Sequence, residues 1–197
     1  MTDQILSVAA PPGVLPQPAI SWSAVWAGAV VALASSLLLT LAAAGVGYDT
    51  GLPGIATRAS LKAFDPMVGA VAIVVQVLSA ALGGYVAGRT RTVWTNLHDD
   101  ESHFRDTAHG LIVWAVATLA GVLLAATVLA PYADALAAAA PQPAVVPTAA
   151  EAQRAAGIAA QASLFLAIGM LLSAFVAAVG ARIGGLRHEE MHLELRS

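Results

Sequence analysis

The sequence predicts an all-α, polytopic membrane protein: a four-helix transmembrane bundle built from two parallel-repeat helical hairpins. Three observations carry that expectation. Four stretches, at about 21–47, 67–88, 110–130 and 155–181, contain no Asp, Glu, Lys or Arg, and an apolar run of about twenty residues is what a helix needs to cross a bilayer. Short patterns recur in order: Val25-Trp26-Ala27 returns as Val113-Trp114-Ala115, and Leu78-Ser79-Ala80 as Leu172-Ser173-Ala174. Finally, 58% of the residues are hydrophobic, only 11% are charged, and the mean hydropathy is +0.77. A soluble domain carries about 25% charged residues, so this chain lacks the polar surface to dissolve in water.

Residues 1–20 hold Pro11, Pro12, Pro16 and Pro18 and cannot form an ordinary helix. They read as an extended lead-in that ends at Ser21, a suitable N-cap. Trp22 and Trp26 then stand one turn apart, as suits the headgroup level at a helix entry. The first span is expected to be kept as a membrane helix. A cleaved signal would have a basic start and a shorter apolar core, of about 7–15 residues, and the lead-in has no Lys or Arg. Against this, Ala42-Ala43-Ala44 would pass as a cleavage site on residue size alone.

The first loop, from Tyr48 to Pro66, has turn residues in Asp49, Gly51, Pro53 and Gly54. The connection from Arg89 to His109 is the most polar part of the chain and reads as a solvated loop. The connection from Pro131 to about Arg154 is rich in Ala and Pro, and the segment 186–197 reads as a charged tail, with a short helix as the alternative. Nothing alternates like a barrel strand, and backbone groups in hydrocarbon must be satisfied internally, so the spans are helices.

Basic residues set the orientation. Arg89, Arg91, Arg105, Arg182, Arg187 and Arg196 fall on the side of both termini, against Arg58, Lys62 and Arg154 on the other. That bias places the N- and C-termini in the cytoplasm. Each repeat unit has two spans, so both enter the membrane the same way round, related by a pseudo-two-fold axis along the membrane normal. Chance is the alternative, since three-residue matches come cheaply in an Ala-rich chain, and the offsets differ between the two matches, 88 and 94 residues.

Small residues recur every fourth position in each span. Gly28, Gly84, Gly88, Gly121, Gly180 and Gly184 are the candidate packing positions, where backbones approach closely and dispersion drives association. Tyr85, Arg89 and His109 are expected at one membrane level as a cytoplasmic polar cluster, or as plain interfacial anchors.

His188-Glu189-Glu190-Met191-His192 fits H-E-x-x-H, in which two His on one helical face bind zinc and the Glu activates water. The plainer reading is a charged tail, because no third ligand follows before Ser197. One would have to come from His98, Asp99, Asp100, Glu101 or His103. The candidate metal ligands are therefore His188, His192, His98 and His103, with no metal or other cofactor expected. The absence of cysteine removes disulfides and Cys-ligated metals. No ionisable residue lies inside a span, which argues against a transporter built on a buried carboxylate. A net charge of −3 gives no basic face for nucleic acid.

Gly83-Gly84-Tyr85-Val86-Ala87-Gly88-Arg89, with His109-Gly110-Leu111-Ile112-Val113-Trp114-Ala115, resembles a family of small bacterial four-span proteins labelled PhnA-like. Ile20 to Gly28 is similar to that family's opening helix, and the likeness covers most of 20–130. The resemblance implies a bacterial inner-membrane protein and no particular reaction. The expected function is a non-enzymatic scaffold or accessory subunit, with membrane lipid and either itself or another membrane protein as partners. The alternatives are a small channel or transporter, and a zinc-dependent hydrolase at the cytoplasmic surface.

Overall fold

A computed structural model describes residues 19–49, 66–92, 99–129 and 148–194. They form four helices: α1 Trp22–Asp49, α2 Pro66–Thr90, α3 Asp99–Leu124, and α4 Ala149–Glu194. α3 runs on into a π-helical turn, Ala125–Leu129. All four are long and apolar enough to cross a membrane. Leu37, Leu38 and Leu41 of α1, Leu119 and Val122 of α3, and Leu171 and Phe175 of α4 point outward. In water such faces would be unstable; in a bilayer they meet lipid tails. The chain is an all-α, four-helix transmembrane bundle.

Two helices differ in extent from the sequence reading. α3 begins at Asp99, not near 110, so the expected polar loop is partly helix. Glu101 stands in its first turn, where a carboxylate complements the helix dipole, and pairs with Arg105 one turn on at 2.8 Å. α4 has 46 residues, about 69 Å at the usual rise, more than twice the hydrocarbon core. It begins at a capping box, with the Thr148 N–H donating to Glu151 Oε2 at 2.7 Å and the Glu151 N–H to Thr148 Oγ1 at 3.3 Å. It also continues through Gly184-Gly185 into the expected tail, because those glycines are packed. Tertiary contact here outweighs propensity.

α2 lies centrally and touches the other three helices. α3 also touches all three, while α1 and α4 do not meet among the described residues. The contacts are made by small residues. A methyl group on Gly28 would lie 2.5 Å from the Gly83 carbonyl oxygen, and one on Gly180 2.7 Å from that of Ala81. Gly84, Gly88 and Gly184 press as closely on the carbonyls of Ala177, Ala181 and Tyr85. Of the glycines the sequence proposed for packing, Gly121 alone has an ordinary contact, with Leu33 Cδ2 at 3.5 Å, and Gly157 meets nothing within 4 Å. Gly121→Ala and Gly157→Ala are therefore expected to be tolerated. Each should gain about 0.5 kcal/mol of helix stability, and thermal unfolding in detergent should stay level or rise by about 2 °C. A clear drop would mean that those faces are covered.

Candidate functional site

The early start of α3 carries its buried face out past the apolar span. Ser102, Asp106, His109 and Val113 follow one another at helical spacing and are all buried. α2, meanwhile, ends at Thr90, which delivers Arg91 to the same level. Arg91 Nη2 donates to Asp106 Oδ2 at 3.0 Å, and Arg91 Nε meets Asp106 Oδ1, so the fork engages both carboxylate oxygens. Arg91 Nη1 also donates to the Thr92 carbonyl at 3.3 Å. The two side chains are 0% and 2% exposed. They fit because residue 185 of α4 is glycine: a methyl group there would press on Asp106 Oδ2 and lie 3.0 Å from Arg91 Nη2.

His109 completes the cluster. The Ser21 N–H donates to its Nε2 at 2.9 Å, so Nε2 carries no proton. Nδ1, 2.7 Å from the Arg105 carbonyl oxygen, is then the donor. The ring is a neutral imidazole in a fixed tautomer. Ser21 in turn accepts from the Val25 N–H at 3.1 Å, the first helical bond of α1. An imidazole on α3 thus satisfies a main-chain donor at the entry of α1, a group that would otherwise be buried without a partner. Beside it α3 sits against α4, for a methyl on Gly110 would strike the Ala177 carbonyl.

Further interactions flank this core. Arg182 Nη2 lies 3.3 Å from His103 Nδ1 and joins α4 to α3 at the surface. Deeper in the span, Trp114 Nε1 donates to Ser173 Oγ at 2.9 Å, and that hydroxyl donates to the Met170 carbonyl. Ser79 occupies the matching place in the other pattern. It is equally buried, but its hydroxyl has no hydrogen-bond partner among the described residues.

Of the expected cluster Tyr85, Arg89 and His109, only His109 enters the buried site. Tyr85 lies outward and Arg89 is half-buried. Arg91 and Asp106 take the central places, and the sequence reading did not single them out as site residues. The signal was the spacing of Asp106 and His109, which puts both on one helical face once α3 is extended backwards. His103 and His188 are half-buried, whereas His98 and the side chain of His192 lie outside the described residues. Among the described residues no three His, Asp or Glu side chains converge as a metal site.

The arrangement acts as a clamp: one ion pair and one imidazole tie the start of α1, the end of α2 and the first turns of α3 against α4. The chain matches no family model, no curated protein and no solved structure.

Proposed function

We propose that this protein is a non-enzymatic scaffold or accessory subunit of a bacterial inner membrane, associating with itself or with another membrane protein. The observation that carries the reading is the outer half of α4. Nearly every residue from Ala149 to Leu164 is exposed, and no described residue covers the small-residue face around Gly157. Such a face suits close approach by another helix. At the clamp, the guanidinium, carboxylate and imidazole spend polar atoms on the chain itself, which favours architecture over turnover.

Arg89, Arg91, Arg105, Arg182 and Arg187 all belong to the end of the bundle that holds the clamp. This supports placing that end, with both termini, at the cytoplasmic face. Two further observations support a duplicated hairpin: the matched Val25 and Val113 are both fully buried, as are Ala87 and Ala181. Among the described residues the contact of α2 with α3 has no counterpart between α1 and α4, so the halves would have diverged in packing. Membership of the PhnA-like family belongs to the same proposal. Its motif glycines Gly83, Gly84 and Gly88 make helix contacts, and its His109 serves the clamp.

Because the chain has no native cysteine, Gly157→Cys and Ala160→Cys can be cross-linked cleanly in native membranes. A discrete protein adduct at one or both positions, together with a detergent-extracted mass above that of one chain, is the expected result. A monomer with no adduct at either position would overturn the scaffold reading. A solute flux in liposomes that this monomer alone supports would favour a channel instead.

A further inference from the structure

Well away from the clamp, α2 and α4 leave between them a cavity of about 240 Å³, lined by Val68, Gly69, Ala72, Ile73 and Gln76 of α2 and by Ala162, Phe165 and Leu166 of α4. Ala72, Ala162 and Leu166 are also exposed, so the cavity opens sideways. It lies within two membrane-spanning helices, and that opening faces the hydrocarbon. Its walls are apolar apart from one side chain, the amide of Gln76. That amide rests on α4 where residue 169 is glycine: a methyl group there would be 2.7 Å from Gln76 Oε1. Among the described residues Gln76 forms no hydrogen bond. It lies about 15 Å along α2 from Pro66 at the usual helical rise, near mid-membrane. An amide left unpaired at that depth is strongly disfavoured, since hydrocarbon offers it no hydrogen-bond partner.

We infer that this cavity binds an uncharged, ring-sized lipophile bearing a carbonyl group, which accepts a hydrogen bond from Gln76. Size fits, since an apolar protein cavity of about 150 Å³ already takes up benzene. Lipid tails would fill the space but offer no acceptor. Water needs about two to four polar partners, and the lining supplies one polar side chain. A charged ligand would be buried without a counter-charge, because no lining residue is ionisable.

The test uses the full chain in phosphatidylcholine nanodiscs, with menadione as the carbonyl probe and methylnaphthalene as its carbonyl-free match. Menadione is expected to bind saturably, and about fivefold more tightly than methylnaphthalene, the worth of one net hydrogen bond. Gln76→Leu should erase that difference while methylnaphthalene binding persists. Ala162→Trp, which fills the cavity from an exposed position, should abolish saturable binding of both probes with the circular dichroism unchanged. Equal affinity of the parent for the two probes, or menadione binding that survives Ala162→Trp, would overturn the inference. Organic extracts of parent and Ala162→Trp protein from native membranes identify the natural source. Enrichment of a quinone or another uncharged cyclic carbonyl compound with the parent supports the site and names its occupant; enrichment of acyl lipids alone, or of nothing, counts against it. Gly157 is not among the lining residues, so the cross-linking result and the probe result stand or fall separately.

Discussion

Replacing Asp106 with alanine is expected to destabilise the bundle by about 3–5 kcal/mol, the usual consequence of removing one partner from a buried ion pair. The magnitude follows from where the remaining charge sits. Arg91 is wholly buried between α2, α3 and α4, and it cannot shed its proton to escape the low dielectric. Its Nη2 and Nε would both lose the carboxylate they face. The pair as a whole should matter far less than its breakage. Arg91→Met combined with Asp106→Leu removes both charges at similar volume and is expected to unfold near the parent or above it. Asp106→Asn, which keeps the shape and one acceptor, should fall between. Chemical or thermal unfolding in detergent measures all four proteins. Salt should change the parent little, because buried pairs are poorly screened. If Asp106→Ala matched the parent, or the double variant were as damaged as the single one, the clamp would not rest on burial of charge.

The four spans were legible because their signal is a lack of charge, which any hydrocarbon-depth helix must show. The same criterion is blind to a helix that continues into water. For this reason the first turns of α3 passed for a loop, although Asp99, Asp100 and Glu101 are suited to a helix start. Gly184 read as a packing position and Gly185 as the last residue before a tail, since propensity gives no hint that Asp106 presses on the second. The clamp was harder still. Arg105 and Asp106 are neighbours in sequence, yet one is a partly exposed partner of Glu101 and the other is buried against Arg91. Composition treats them alike, and only the helical period separates them. His109 was legible as a polar residue at a span entry, but its bond to the Ser21 N–H joins positions 88 residues apart. No local pattern encodes such a bond. Gly84 and Gly88 were the opposite case, because glycines four apart in an apolar helix point directly to a close backbone approach.

That approach sets the second large effect. Gly88→Ala is expected to cost about 3 kcal/mol, the upper end of ordinary overpacking, and Gly88→Leu should leave no folded bundle. The added methyl group would meet the Ala181 carbonyl and lie 2.8 Å from the Gly185 nitrogen. Both are main-chain atoms inside α4 and cannot swing aside as a side chain would. Relief requires α2 and α4, the most extensive helix pair among the described residues, to move apart. Moving them apart also draws Gly185 away from Asp106 and Arg91 and opens the clamp to water. The cost of the second lesion therefore depends on the first. Once Gly88→Ala has loosened that corner, the charge stranded by Asp106→Ala is partly hydrated, and the double variant should lose less than the two single losses combined, by about 1 kcal/mol. Gly121→Ala, whose methyl meets only the end of Leu33, should add independently to Asp106→Ala. Additive behaviour of Gly88→Ala with Asp106→Ala would show that the glycine contact and the ion pair hold the bundle separately.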